Sequence, residues 1–154
     1  MAEQVRGLTL TQPWASLVAS GHKRIETRSW RASYRGVLLI HAANGFPPEA
    51  RAFASEERAL GRVPATIPTG AVVAVARLAD VRPTEEIAPT ISGLERRLGD
   101  YSPGRWAWLL DDVRALDTPV WCRGALGLWR ADDRELCLMP AWFETYREGG
   151  GRDG

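Results

Sequence analysis

The sequence is poor in cysteine, nearly empty of lysine and free of long apolar runs. Its two cysteines, Cys122 and Cys137, lack metal-ligand spacing, so they are read as free thiols of a reducing compartment rather than as a disulfide framework. No apolar stretch approaches the roughly 18 residues that a membrane span needs, so no membrane association is expected. Met1 to Arg6 show no charged head followed by an apolar segment, so no secretory signal is read there and a cytoplasmic location is expected. Nothing in the pattern of His, Cys and carboxylates calls for a metal, and nothing calls for a cofactor.

What is present fits one domain. A chain of 154 residues with 45% hydrophobic and 25% charged side chains has the size and composition of a globular unit with a single core. The net charge of +1 excludes a polycation, so any affinity for nucleic acid must come from local charge. Between Gly21 and His41 the basic residues Lys23, Arg24, Arg28, Arg31 and Arg35 face one acid, Glu26. Between Asp80 and Asp112 the acids prevail. Such segregation either builds a local positive field or gives two solvated surfaces of opposite sign. Of twenty basic side chains only Lys23 is a lysine. A compact amine kept where arginine is otherwise used marks a candidate for chemistry or close phosphate contact. Seven tryptophans supply core packing and, where exposed, surfaces on which bases stack.

Alternation predicts a first strand over Gly7 to Leu10, and Pro13 with Gly21 brackets a short helix from Thr11. A strand from Ile25 to Trp30 puts Glu26, Arg28 and Trp30 on one face and Thr27 on the other. Val37 to Ile40 reads as a buried strand, Pro47 to Leu60 as a helix, and Gly70 to Asp80 as a β-branched strand. Ser92 with Glu95 has capping-box spacing for a short helix ended by Gly99. Arg105 to Leu110 and the stretch from Pro119 to Trp129 supply the last strands, with Trp106 and Trp108 on one face filling the interior. Strands outnumber helices and no regular βαβ series appears, so the expected class is α+β: a mixed β-barrel of about five to six strands with flanking short helices. The domain is placed at residues 7–131. Residues 132–148, with Leu136, Leu138, Trp142 and Phe143, form a C-terminal extension that docks on the domain or binds a protein partner, and residues 149–154 are expected to be a disordered tail.

Two linked segments carry a resemblance. Leu8-Thr9-Leu10-Thr11-Gln12-Pro13-Trp14-Ala15, followed by Gly21-His22-Lys23-Arg24-Ile25-Glu26-Thr27-Arg28-Ser29-Trp30, closely resembles the opening of the ASCH family. Tyr34-Arg35-Gly36, Leu39-Ile40-His41-Ala42, Thr69 to Ala74, Trp106 to Leu110 and Arg123 to Trp129 continue the likeness in order. It implies a PUA-like β-barrel with a cleft beside the first helix, lined by Lys23, Glu26 and Arg28. The superfamily reads RNA or modified bases, so the first expectation is a cleft for RNA or a nucleotide-like ligand.

The candidate binding residues are Gln12, Trp14, Lys23, Glu26, Arg28, Trp30, Arg31, Arg35 and His41. Arg28 suits planar bidentate bonding, Lys23 a point charge, and Trp14 or Trp30 stacking on a base. Glu26 orients Lys23 or Arg28, or closes a structural ion pair. Arg31 and Arg35 suit peripheral phosphate contacts, and His41 is either a satisfied core histidine or a base. The resemblance also implies a second reading. Some small ASCH proteins are hydrolases of acetylated cytidine that use a Lys, a Thr and a downstream Glu, and nuclease activity is described in the family. Here the catalytic candidates are Lys23, Glu26 and Thr27. The match departs from that pattern because Glu26 stands three residues after Lys23, Thr27 comes one step later, and the strand from Gly70 to Leu78 has no Glu. A third reading is an interaction module using the C-terminal segment.

Overall fold

A computed structural model describes residues 4–149 of the chain. Six strands form one sheet: β1 (Arg6–Leu10), β2 (Ile25–Arg28), β3 (Gly36–Ala42), β4 (Ala71–Pro83), β5 (Trp106–Trp121) and β6 (Leu128–Arg130). Their spatial order is β2-β5-β4-β3-β1-β6, antiparallel throughout except for the parallel pair β1 and β3. The sheet curls into a half-barrel, flanked by α1 (Trp14–Ala19), α2 (Pro48–Ala59), α3 (Thr84–Ile87), α4 (Gly93–Arg97), α5 (Asp133–Leu136) and α6 (Trp142–Glu148). This is the expected α+β class. No helix among the described residues is long and apolar enough to cross a membrane.

The apolar run of β3 follows from burial on both faces. Leu38 and Ile40 enter the core inside the curl with Leu8, Val18, Leu78 and Trp108. Val37 and Leu39 face the opposite way, into a second core with Val72, Val120, Trp129, Phe143 and Tyr146. The C-terminal segment therefore covers the convex side of the sheet. The Asp132 capping box opens α5, and in α6 Phe143 and Tyr146 are buried. The Arg77 and Arg114 guanidinium groups lie 4.6 and 5.1 Å from the Tyr146 ring centre, and the Tyr146 hydroxyl donates to the Asp112 carbonyl at 2.8 Å. Of the tail expected from residue 149 onward, only Gly149 is described, donating its N–H to Thr145 and Tyr146 carbonyls; residues 150–154 lie outside the described residues.

Two expectations need correction. The stretches expected as separate strands, Arg105 to Leu110 and Pro119 to Trp129, are divided differently: β6 keeps only Leu128–Arg130, and β5 runs unbroken over 16 residues from Trp106 to Trp121 and pairs with both β2 and β4. Its register against β4 shifts at three places, which breaks the alternation that a reading of sequence relies on. The strand expected from Ile25 to Trp30 ends at Arg28, so Trp30 does not continue the face of Glu26 and Arg28.

Gly7 on β1 lies opposite Trp129 on β6, and the indole covers it. A Cβ at Gly7 would sit 2.2 Å from a Trp129 ring atom. We expect Gly7→Ala to cost about 1–3 kcal/mol through this overlap, read as a melting point lowered by about 2–10 °C. An unchanged melting point would mean that Trp129 moves aside freely.

Candidate functional site

The curl brings β2, an edge strand, back toward β1, and a cleft of about 440 Å³ opens between them beside α1. Its floor is built by Lys23, which follows α1 in a turn where the His22 and Lys23 N–H groups both donate to the Leu17 carbonyl. The Lys23 side chain is only 1% exposed. Its Nζ donates to the Leu98 carbonyl at 2.7 Å and lies 3.4 Å from Glu26 Oε1. Glu26 also holds Arg28: Nε donates to Oε2 at 2.9 Å, and Nη2 lies 2.9 Å from the same oxygen. Arg28 Nη2 further donates to the Thr9 carbonyl on β1 at 3.1 Å. One carboxylate thus ties both cations and, through them, residues 9 and 98.

The opposite wall comes from the end of α4. Glu95, capped in by Ser92, turns inward and accepts the backbone N–H groups of Arg24 and Ile25. Burial pushes the Glu95 carboxyl up, against the lowering effect of those N–H bonds and of the Lys23 and Arg24 charges. Leu98, Gly99 and Asp100 then line the cleft. The Thr27 hydroxyl accepts the Asp100 N–H at 3.0 Å. Nearby, the Tyr101 hydroxyl is buried without a hydrogen-bond partner among the described residues, and burial first, then the Glu95 and Glu26 charges, push its pKa up.

Of the expected residues, Trp14, Lys23, Glu26, Thr27 and Arg28 share this cleft. Trp14 does two things at once, packing edge-on against Phe53 at 5.2 Å and lining the cleft. Thr27 corrects the expectation from strand alternation, because it reaches the cleft from the Asp100 side although Glu26 and Arg28 lie on the other strand face. The Arg28 fork is also narrower than expected. Its Nε and Nη2 are engaged by Glu26 and Thr9, which leaves the Nη1 edge without a protein partner among the described residues.

The other candidates lie elsewhere. Gln12 is fully buried beneath α1, with Oε1 accepting the Ser16 N–H and Nε2 donating to the Ser16 hydroxyl and the Pro68 carbonyl, so its polar atoms serve the fold. Trp30 sits edge-on to Trp108 at 4.8 Å, and the Arg31 guanidinium lies 5.5 Å from the Trp106 ring centre; both are outside the cleft. Arg35 bonds the Ala32 and Tyr34 carbonyls and pairs with Asp80 at 3.7 Å. That pair joins the basic and acidic stretches of the sequence, so charge separated along the chain is partly mixed in space.

His41 lines an adjoining hollow of about 430 Å³ that shares Thr9, Thr11 and Arg28 with the cleft. Its Nε2 lies 2.8 Å from the Cys122 carbonyl, which can only accept, so Nε2 carries a hydrogen. In the neutral ring Nδ1 then accepts from the Thr9 hydroxyl at 3.1 Å, and Thr9 accepts from Trp129 Nε1 at 3.0 Å. Burial holds the His41 pKa below its ordinary value, outweighing the raising effects of the Cys122 carbonyl and Glu135. Burial likewise pushes the Cys122 thiol up to about 11. Thr9, Thr11, Arg97 and the Leu98 to Asp100 wall were absent from the sequence candidates. Gly124 was visible within the Arg123 to Trp129 match; a Cβ there would lie 2.4 Å from the Thr9 hydroxyl.

The ASCH domain family model matches residues 8–118. Over 41 residues, 27% of this chain, the sequence is 54% identical to activating signal cointegrator 1 of Mus musculus, a match that spans 7% of that protein. The fold is similar to the crystal structure of ASCH from Zymomonas mobilis, with a TM-score of 0.55 at 15% identity over 87% of this chain and 92% of that one. A single-substitution variant of the same bacterial protein gives a TM-score of 0.54 at 17% identity, covering 89% of this chain and 97% of that one.

Two outcomes are expected. Glu26→Gln removes the carboxylate that pairs with the buried Lys23 ammonium at 3.4 Å, and should cost about 3 kcal/mol; adding Lys23→Met should recover most of it in urea unfolding. A Glu26→Gln protein as stable as the wild type would show that Lys23 does not depend on Glu26. For His41, a depressed folded-state pKa means that the unfolded chain binds more protons, so stability rises with pH across that interval. The contribution is complete above about pH 6.5 and is lost as pH falls through the folded value. Urea midpoints should drop over that window, and His41→Gln should flatten the drop.

Proposed function

This chain belongs to the ASCH domain family, with its PUA-like fold, and we propose that it is an RNA-binding protein whose cleft takes one unstacked nucleotide of a single strand. The observation that carries this reading is the pairing of a buried, fixed ammonium with a half-exposed guanidinium in one hollow beside an indole. Burying Lys23 costs desolvation that the fold does not need, since an apolar side chain would pack the same space without it. The Nζ group has two protein acceptors within reach, and Lys23 lines the cleft, so its charge acts on an anion bound there. Arg28 offers its Nη1 edge to a phosphate or base edge, and Trp14 offers a stacking surface. The volume of about 440 Å³ lies within the usual range for a small-molecule site, roughly 300–1,000 Å³.

A hydrolytic reading has one observation in its favour: Lys23 and Thr27 line the same cleft. Against it, Lys23 Nζ faces two acceptors, the Leu98 carbonyl and Glu26, which is the position of a donor and not of a base. Binding is therefore the preferred reading. Turnover of acylated nucleosides by the wild type, abolished by Lys23→Met, would reverse that preference.

The direct measurement is fluorescence anisotropy with short single-stranded RNA and DNA at two salt concentrations. Binding should weaken at higher salt with a shallow slope, because few cations are involved. Arg28→Ala should lower affinity roughly ten- to a hundredfold, and Lys23→Met should lower it as well. Salt-independent binding, or equal affinity in both variants, would refute the assignment.

A further inference from the structure

The cleft does not end at Arg28. Thr9, Thr11 and Arg28 line both it and the His41 hollow, and Arg123, Gly124 and Ala125 line both the His41 hollow and a third one of about 600 Å³. Three hollows of 440, 430 and 600 Å³ thus adjoin in sequence, with one arginine at each joint. At the far end stands Trp121, 63% exposed where β5 ends, a degree of exposure that packing does not account for. Arg123 and Arg130 line this end, and among the described residues neither pairs with a carboxylate. The acids there are already engaged: Asp132 caps α5 and pairs with Arg134 at 3.2 Å, and Glu135 closes the same capping box from a buried position.

We propose that these three hollows form one track for a single strand of at least three nucleotides, running from the Lys23 cleft to Trp121. Arg28 and Arg123 meet the phosphates between consecutive units, and Trp121 stacks on the base at the far end. This rests on the reading of the first cleft as a nucleotide site. The alternation of cation and hollow, ending in an exposed indole, is what a sequence-tolerant single-strand groove requires: charge that follows the backbone and a π-face for a base. The exposed Leu138 also lines this hollow, but Arg123 and Arg130 stand in the same lining, which favours an anionic strand with stacking bases over a purely apolar ligand.

The test measures anisotropy-detected affinity for labelled ribonucleotides of one, three and six units, in the wild type and in Arg28→Ala, Trp121→Ala, Arg123→Ala and Arg123→Glu. Matched melting points serve as the folding control, and both distal residues are exposed. Affinity should rise from one to three units. Trp121→Ala and Arg123→Ala should each lower hexamer affinity about tenfold, with Arg123→Glu lowering it further, while mononucleotide affinity stays as in the wild type. Equal affinity for one and six units, or hexamer binding indifferent to the distal variants, would overturn the track while leaving the cleft reading intact. Hexamer binding lost with Trp121→Ala but kept with Arg28→Ala would place the ligand at the distal end alone and overturn both. Failure of every oligonucleotide to bind would also overturn both, and would leave the Trp121 hollow to a protein partner.

Discussion

A single buried ammonium organises the open side of this fold. Lys23 is closed off from water, and its charge is met by Glu26 and by the carbonyl that ends the α4 turn. Glu26 in turn fixes Arg28, and Arg28 reaches the Thr9 carbonyl on β1. β2 and β1 are not neighbours in the sheet; three strands lie between them. The polar bridge therefore does across the gap of the half-barrel what ladder hydrogen bonds would do in a closed one. Such a bridge adds little net stability, since desolvating an ammonium and a carboxylate costs several kcal/mol. What it adds is definition: two cations and a carboxylate held at fixed spacing on the wall of a cavity.

The rest of the sheet is stabilised by ordinary means, and that is why much of it was legible in the sequence. The run Val37 to Ile40 reads as buried because it packs on both sides, and the second side includes Phe143 and Tyr146 from beyond residue 131. The family match stops at residue 118, yet β6 at Leu128–Arg130 is a strand of the same sheet. Its Trp129 lies over Gly7 and holds Thr9. The length of β5 was not legible. Asp111 and Asp112 interrupt its apolar alternation, Asp112 takes a positive φ of 47°, and only pairing with β4 keeps the strand continuous. The short α3 was missed for a similar reason: four residues carry too little periodicity to be read, and position decides their conformation.

The site divides along the same line. Its near wall was readable because Trp14, Lys23, Glu26 and Arg28 fall within fifteen residues of a turn-linked helix and strand, where local geometry carries side chains to one place. Its far wall was not, because Leu98 and Asp100 meet Lys23 and Thr27 across more than seventy positions of sequence. Trp30 shows the opposite error. Extending alternation two residues past Arg28 placed it in the cleft, but β2 has ended there and the indole turns onto Trp108. Arg35 shows how sequence blocks of charge mislead, since its carboxylate partner, Asp80, lies in the acidic stretch.

Thr9 joins the cation bridge to the His41 network, although it was not among the candidate residues of the sequence. Its carbonyl accepts Arg28, and its hydroxyl stands between Trp129 and His41 in a chain whose direction is fixed from both ends. The indole can only donate and the Cys122 carbonyl can only accept, so a neutral His41 must carry its hydrogen on Nε2 and the Thr9 hydroxyl must donate to Nδ1. Protonating His41 would turn Nδ1 into a second donor toward Thr9 and free the threonine hydrogen to point away. The burial that depresses the His41 pKa prevents this near neutrality. The side chain at the joint between the first two hollows is therefore held in one hydrogen-bonded state, and the shape of that joint is set by β1, β3 and β6 together rather than by a flexible loop.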